Sequence, residues 1–342
     1  MGVLQNVPED LSIFYGGDYY KAGDGEGKEG YSNYEFTAEH SLLWVKLCVK
    51  SLRDSGDILD VGCADGHLLA NLPTQFNRYG IEANHAASLE ATRRGIQVIS
   101  SDLFSLSGRE EWIGKFDIIT SVATFEHLRD FRGGVELCLR LLKEDGVLLL
   151  EVPLLSDWAN NDTWFSSSLE HVYYPTLQGL EWLLSNEMGA YFVGGEVHIK
   201  GFASNYIAFV TRSESTFRRI KNLYEVLTRS DLSQLSDEEC ALNLAFNVGH
   251  AFDVTPDRVL MLPKLLKTET SFHFLTRLTH LWHADALASA QLHWALETLN
   301  TANEYGSRQS HEVVRLIALS RDLEQRVTFL ENKLRENARL LP

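Results

Sequence analysis

Asp60, Gly62, Ala64 and Gly66 occupy alternate positions of the run ILDVGCADGHLL, and that spacing can build a ligand-binding turn. An apolar strand delivers Asp60. Glycine at 62 and 66 then lets the backbone turn sharply and approach a bound molecule closely. A helix expected from about His67 would present the unbonded N–H groups of its first turn to that molecule. An acidic residue before the first glycine suits a ligand with an ammonium group, or an ordered water. A dinucleotide fingerprint would want glycine at 62, 64 and 67, but Ala64 and His67 stand at the second and third places. Glu82, at the end of the next strand-like run, can accept both hydroxyls of a ribose. Asp102, at the end of the third, can accept from an adenine amino group.

These residues need a frame, and the frame is written as alternation. DILDVGC (57–63), RYGIEA (78–83), IQVISSD (96–102), KFDIITSVA (115–123) and GVLLLEVP (146–153) read as strands. HAASLEATRRG (85–95) and RGGVELCLRLLKEDG (132–146) have helical period between them. Strands alternating with helices of this length predict βαβ units and a parallel sheet. LQGLEWLLSNEMG (177–189) predicts a helix ended by Gly189, and 190–199 with 204–213 predict a closing antiparallel pair. A further helix is expected from about Phe36 to Leu52.

With those motifs in place, the chain resembles the class I S-adenosylmethionine-dependent methyltransferases over roughly residues 36–212. DVGCADG stands as their first motif, GIEAN as the acidic second, SDLF as the third and FDIITSVATFEHL as the fourth. LLKEDGVLLLEVP looks like their fifth strand with its preceding turn. The resemblance implies an α/β fold: a Rossmann-like seven-stranded sheet with helices on both faces. It also implies S-adenosyl-L-methionine as cofactor, with the methionine part at Asp60, Gly62, Ala64 and Gly66. Glu82 would bind the ribose and Asp102 the adenine amino group, with Leu103 packing on the base or serving as core.

Methyl transfer to a hydroxyl asks the protein to position the nucleophile and remove its proton. His127, in ATFEHLRD, follows the fourth strand directly; His171, in LEHVYYPT, lies on the loop after the fifth. Both loops fall at the carboxyl edge of the sheet, where open α/β folds bind ligands. Each histidine also reads as a structural one bonded to backbone. Trp164, Tyr173 and Tyr174 surround His171 in a composition suited to a sugar-binding cleft. The leader GGDYY…GY with its tyrosines (Tyr19, Tyr20, Tyr31, Tyr34) and the EHVYYPT loop resemble the subgroup acting in bacterial glycan and sugar-nucleotide biosynthesis. The expected activity is therefore O-methylation of a sugar or glycan hydroxyl. A small-molecule O-, N- or C-methyltransferase is the alternative enzyme, and a coiled-coil scaffold with a relic cofactor fold is the alternative of another class.

Composition excludes some partners. Lys and Arg number 31 against 47 Asp and Glu, a formal net charge of −16. That balance opposes a sequence-independent nucleic-acid surface, which needs clustered positive charge. The cysteines Cys48, Cys63, Cys138 and Cys240 form no CxxC pair and read as buried thiols, with no zinc site. His280 and His283, flanking Trp282, read as a helix surface rather than a metal site. No secretory signal or membrane-length apolar run is visible, so a cytoplasmic protein is expected.

Four segments follow: an N-terminal arm or lid over 1–35, the cofactor-binding domain over 36–213, a helical region over 214–309, and a coiled-coil helix over 310–342. The last rests on Val313, Leu316, Ser320, Leu323, Val327, Leu330, Leu334, Asn337 and Leu341, which keep a/d spacing and predict a homo-oligomer.

Overall fold

In the computed structural model the described residues are 3–4, 38, 42–155, 171–199 and 203–229, with 234–236, 239, 242–243 and 245–246. The chain divides into two compact units, Met1–Thr228 and Arg229–Pro342. The first contains β1 (Val3–Leu4), α1 (Leu43–Leu52), β2 (Gly56–Val61), α2 (His67–Ala70), β3 (Phe76–Ile81), α3 (His85–Arg93), β4 (Gln97–Ser100), β5 (Phe116–Val122), α4 (Phe131–Leu141), β6 (Leu142–Leu154), β7 (Tyr173–Tyr174), α5 (Leu177–Trp182), β8 (Tyr191–Ile199), β9 (Ala203–Thr211) and α6 (Glu214–Thr228).

Seven strands form one sheet in the order β4-β3-β2-β5-β6-β9-β8. The five strands from β4 to β6 run parallel, while β9 is antiparallel to β6 and β8 to β9. This seven-stranded mixed sheet with its helices has the Rossmann-like architecture that the alternation of strands and helices predicts. The central parallel strands have apolar middles because both faces are covered there: Ile58, Leu59, Ile118, Ile119, Leu148 and Leu149 are all fully buried. On one face α4 buries Val135, Cys138, Leu139 and Leu141, each side chain contributing roughly 1.5–3 kcal/mol.

Helix starts follow local chemistry. Asn84 caps α3 by accepting from the Ala87 N–H at 2.9 Å, and Asp130 caps α4 by accepting from Gly133 at 2.8 Å. The helix expected over 177–189 begins at Thr176, whose hydroxyl accepts from Gly179, but widens after Trp182 into a π-helical turn, Leu183–Glu187. Gly189 then ends it with φ +57°. The strand expected from Gly146 begins at Leu142, directly after α4. The helix expected from Phe36 is described only from Leu43.

Register positions the site. Asp60 pairs with Thr120 across β2 and β5, and Val61 pairs with Ile81 across β2 and β3. The turn after Val61 and the acid after Ile81 therefore emerge side by side at the carboxyl edge. A separate two-stranded pairing sets Val3–Leu4 against Tyr173–Tyr174. Cys48, Cys63 and Cys138 are buried free thiols, and burial pushes the Cys138 thiol up to about 12. Cys240, His280, Trp282, His283, the leader tyrosines, Trp164 and the heptad over 310–342 lie outside the described residues. Among the described residues, no helix is long and apolar enough to cross a membrane.

Candidate functional site

The turn after β2 is a backbone conformation that side chains resist. Gly62, Ala64 and Gly66 all take positive φ, +83°, +49° and +79°. A Cβ on Gly62 would stand 2.2 Å from Thr124 Oγ1, and one on Gly66 would meet Ile96 Cγ1 at 2.8 Å. Glycine is required at both positions by conformation and by space. Ala64 tolerates the left-handed region because its N–H is held: it donates to Glu82 Oε2 at 2.8 Å.

Several of the N–H groups along the turn are already engaged. Gly62 and Cys63 donate to the Ile81 carbonyl, Gly66 donates to Cys63, and the His67 N–H donates to Asp65 Oδ1. The helix after the turn is a single four-residue turn, His67–Ala70. Close backbone and missing side chains are what this turn offers a ligand between Gly62 and Gly66. Arg94 anchors the outer side of the turn, 3.2 Å from Asp65.

Asp60 is 3 % exposed and accepts from the Thr120 hydroxyl at 2.7 Å. Burial raises its carboxyl to about 7, the Thr120 hydrogen bond opposing and the nearby Glu82 charge adding to the rise. An acid held near neutrality can accept a cationic ligand by ionising.

Glu82 is buried as well. Its Oε1 accepts from Asn84 at 2.7 Å while Oε2 holds Ala64. Each carboxylate oxygen has a second acceptor site. Asp102 is exposed, and its carboxylate caps a short 3-10 turn, Leu103–Leu106, by accepting from Phe104 and Ser105. Leu103, 2 % exposed, is part of the core beneath that turn.

At the same edge, the loop after β5 begins with Ala123 at φ +47° and Thr124, the residue that crowds Gly62. It continues into a 3-10 turn, Phe125–His127. The two histidines that the sequence pointed to separately are brought together, their rings 4.9 Å apart and edge to face. Val172 N–H donates to the Glu126 carbonyl at 2.7 Å, which ties the two loops. Burial holds the His127 imidazole down to about 4, opposed by a hydrogen bond with the Ala123 backbone. Burial also holds His171 down to about 2, with His127 adding to the drop. Both are neutral at physiological pH.

The aromatic surroundings of His171 are less open than the composition suggested. Tyr174 is fully buried against the His171 ring, and Tyr173 is half-buried with its hydroxyl donating to the Arg129 carbonyl.

Glu126 was not singled out by sequence, where it was simply the neighbour of His127. It is 1 % exposed, and burial, with the Glu151 charge adding, raises its carboxyl to about 8. Its Oε1 stands 3.8 Å from His127 Nε2 and 3.9 Å from His171 Nε2. A polar residue after Phe125, itself fully buried, was the available sign that this stretch turns inward.

Residues 36–189 match the model of a family described as a methyltransferase domain. Among solved structures, the YcgJ protein from Bacillus subtilis aligns at 19 % identity with a TM-score of 0.39, over 56 % of this chain and 86 % of that one. An S-adenosylmethionine-dependent methyltransferase from Thermotoga maritima aligns at 16 % identity and 0.40, over 52 % and 92 %. The plantazolicin methyltransferase BamL, in complex with a triazolic analog and SAH, aligns at 13 % and 0.41, over 52 % and 85 %. No curated protein gives a significant match.

Proposed function

We propose that this chain, an S-adenosylmethionine-dependent methyltransferase, methylates a hydroxyl of a sugar or glycan in polysaccharide or sugar-nucleotide biosynthesis. The observation that carries the reading is the juxtaposition at one sheet edge of the Gly62–Gly66 turn, the buried acids Asp60 and Glu82, and the His127–His171 pair. The turn fits the cofactor in its backbone: Gly62 and Gly66, both at positive φ, carry no side chain to stand between the chain and a bound molecule. When bound, S-adenosylmethionine supplies a methyl group on a positively charged sulfur. Asp60, Gly62, Ala64 and Gly66 hold its methionine part. Glu82, kept in place by Ala64 and Asn84, accepts from the ribose. Asp102 accepts from the adenine amino group, with Leu103 beneath.

His127 and His171 act on the acceptor. A neutral imidazole has a lone pair available for a hydroxyl proton. A sugar acceptor is favoured by the resemblance of the leader and the EHVYYPT loop to glycan methyltransferases. The pairing of Val3–Leu4 with Tyr173–Tyr174, close in sequence to His171, supports reading 1–35 as an N-terminal arm. A sugar-nucleotide acceptor places the enzyme in the cytoplasm, and the heptad over 310–342 joins subunits.

The test is a turnover panel of nucleotide sugars and glycan precursors, run with radiolabelled methyl donor. Methyl incorporation at a sugar oxygen is expected. His127→Gln and His171→Gln should each lower turnover by about 10²–10⁴-fold with cofactor affinity unchanged. Transfer only to nitrogen or carbon acceptors overturns the sugar reading, and near-normal turnover in both variants overturns the role of the histidines.

A further inference from the structure

The Glu126 side chain is a buried carboxyl group, 1 % exposed, and neither of its oxygens has a hydrogen-bond partner among the described residues. Leaving such a group unpaired is costly, and native structures seldom do it without reason. What faces it is two imidazoles. Glu126 Oε1 lies 3.8 Å from His127 Nε2 and 3.9 Å from His171 Nε2, and one ligand atom from each of the three residues lies within 4.8 Å of the others.

Those separations are too long for hydrogen bonds. They are close to the spacing of ligands around one ion: with metal–ligand bonds of about 2.0–2.1 Å, neighbouring ligand atoms in a tetrahedral site stand about 3.3–3.4 Å apart. Side-chain shifts of a few tenths of an ångström bring both carboxylate–imidazole pairs into that range. His127 also has a hydrogen bond with the Ala123 backbone. A backbone partner of this kind orients metal-binding histidines and fixes their tautomer. Two neutral imidazoles and one carboxylate form a donor set for a borderline-soft divalent ion.

We propose that Glu126, His127 and His171 bind one divalent transition-metal ion, zinc in the first instance, at the edge of the sheet beside the Gly62 turn. Three protein ligands leave at least one position open. Resting on the methyl-transfer reading above, the ion's open position takes a hydroxyl oxygen of the acceptor, coordination lowers the pKa of that hydroxyl, and its proton leaves to solvent water as the oxygen takes the methyl group. The imidazoles are then ligands while the ion is bound, and proton acceptors without it.

The experiment uses the full chain, stripped with chelator and dialysed, then titrated with zinc chloride by calorimetry and assayed for bound metal by mass spectrometry. One zinc per chain is expected, with a rise in melting temperature. Glu126→Gln, which keeps the side chain's size, and His171→Gln should each weaken zinc binding by at least tenfold. Their S-adenosylmethionine affinity should stay at the wild-type value, which reports an intact fold. Sub-stoichiometric zinc in the wild-type chain, or equal zinc affinity in wild type and both variants, overturns the proposal. Because binding is read without turnover, the two readings fail separately. Stoichiometric zinc lost in Glu126→Gln upholds the site even if no sugar is methylated, and undiminished methylation by a chain that binds no zinc removes the site and leaves the function.

Discussion

The Glu82 carboxylate accepts the Ala64 N–H at 2.8 Å, so the acid at the end of β3 is bonded to the turn at the end of β2. Ala64 holds a left-handed conformation at φ +49°, and this hydrogen bond is what stands against the strain. The two halves of the proposed cofactor site are thus one structural unit, and a change to either is felt by both.

Glu82→Gln tests that unit. A carboxamide has one accepting oxygen, so it cannot serve both Ala64 and Asn84, and its NH₂ faces one of the two donors. S-adenosylmethionine affinity should fall by about 10- to 100-fold, the equivalent of roughly 1–3 kcal/mol. Isothermal titration with the cofactor measures it, and unchanged affinity removes the ribose assignment.

Gly62→Ala should be worse for stability than its size suggests. The new methyl meets Thr124 Oγ1 at 2.2 Å, and φ of +83° strains any side chain. Destabilisation of about 1–3 kcal/mol is expected from the backbone conformation, with cofactor binding weakened further. Adding Thr124→Gly should relieve the clash and leave the strain, so thermal melts of the double variant should fall between the single variant and wild type.

Asp60 gives a pH dependence with a definite sign. Burial raises its carboxyl from 3.8 to about 7, so the folded chain binds this proton more tightly than the unfolded chain does. Stability from this group is therefore full below about pH 4 and is lost as pH rises through about 7. Asp60→Asn, which keeps an oxygen for the Thr120 hydroxyl, removes the loss. Its melting temperature should gain on wild type between pH 5 and 8, an advantage on the order of 2–4 kcal/mol by pH 8. Cofactor affinity should move the opposite way, rising with pH in wild type as Asp60 ionises toward a positively charged ligand, and staying flat in the variant. Parallel pH profiles for the two proteins would contradict the assignment.

Deleting residues 310–342 tests the heptad. A lone helix exposing Leu323, Val327, Leu330 and Leu334 would be marginal in water, so the stripe must be covered. If it pairs between subunits, light scattering should show a lower mass for the truncated chain while cofactor affinity is unchanged. A full-length monomer at micromolar concentration ends the idea.

The strand–helix alternation, the glycine turn and the acids after the strands were legible in the sequence because each is a local pattern. Period, turn chemistry and chain order are encoded within a few residues, and register then carries Glu82 to the turn without further instruction. The observed strands from 56 to 154 lie within a few residues of the expected runs. What tertiary structure decided is everything that depends on two distant segments meeting. Thr120 is an ordinary strand residue until pairing of β2 with β5 sets its hydroxyl on Asp60. The N–H groups of Gly62, Cys63, Ala64, Gly66 and His67 look open in sequence and are closed by Ile81, Cys63, Asp65 and Glu82. Glu126 looks like a surface charge beside a histidine, and only the docking of the His171 segment against the loop after β5 buries it between two imidazoles. Burial and partner identity are properties of the packed chain: the cost of an unpaired carboxylate, and the ligand that would relieve it, arise only once water is gone.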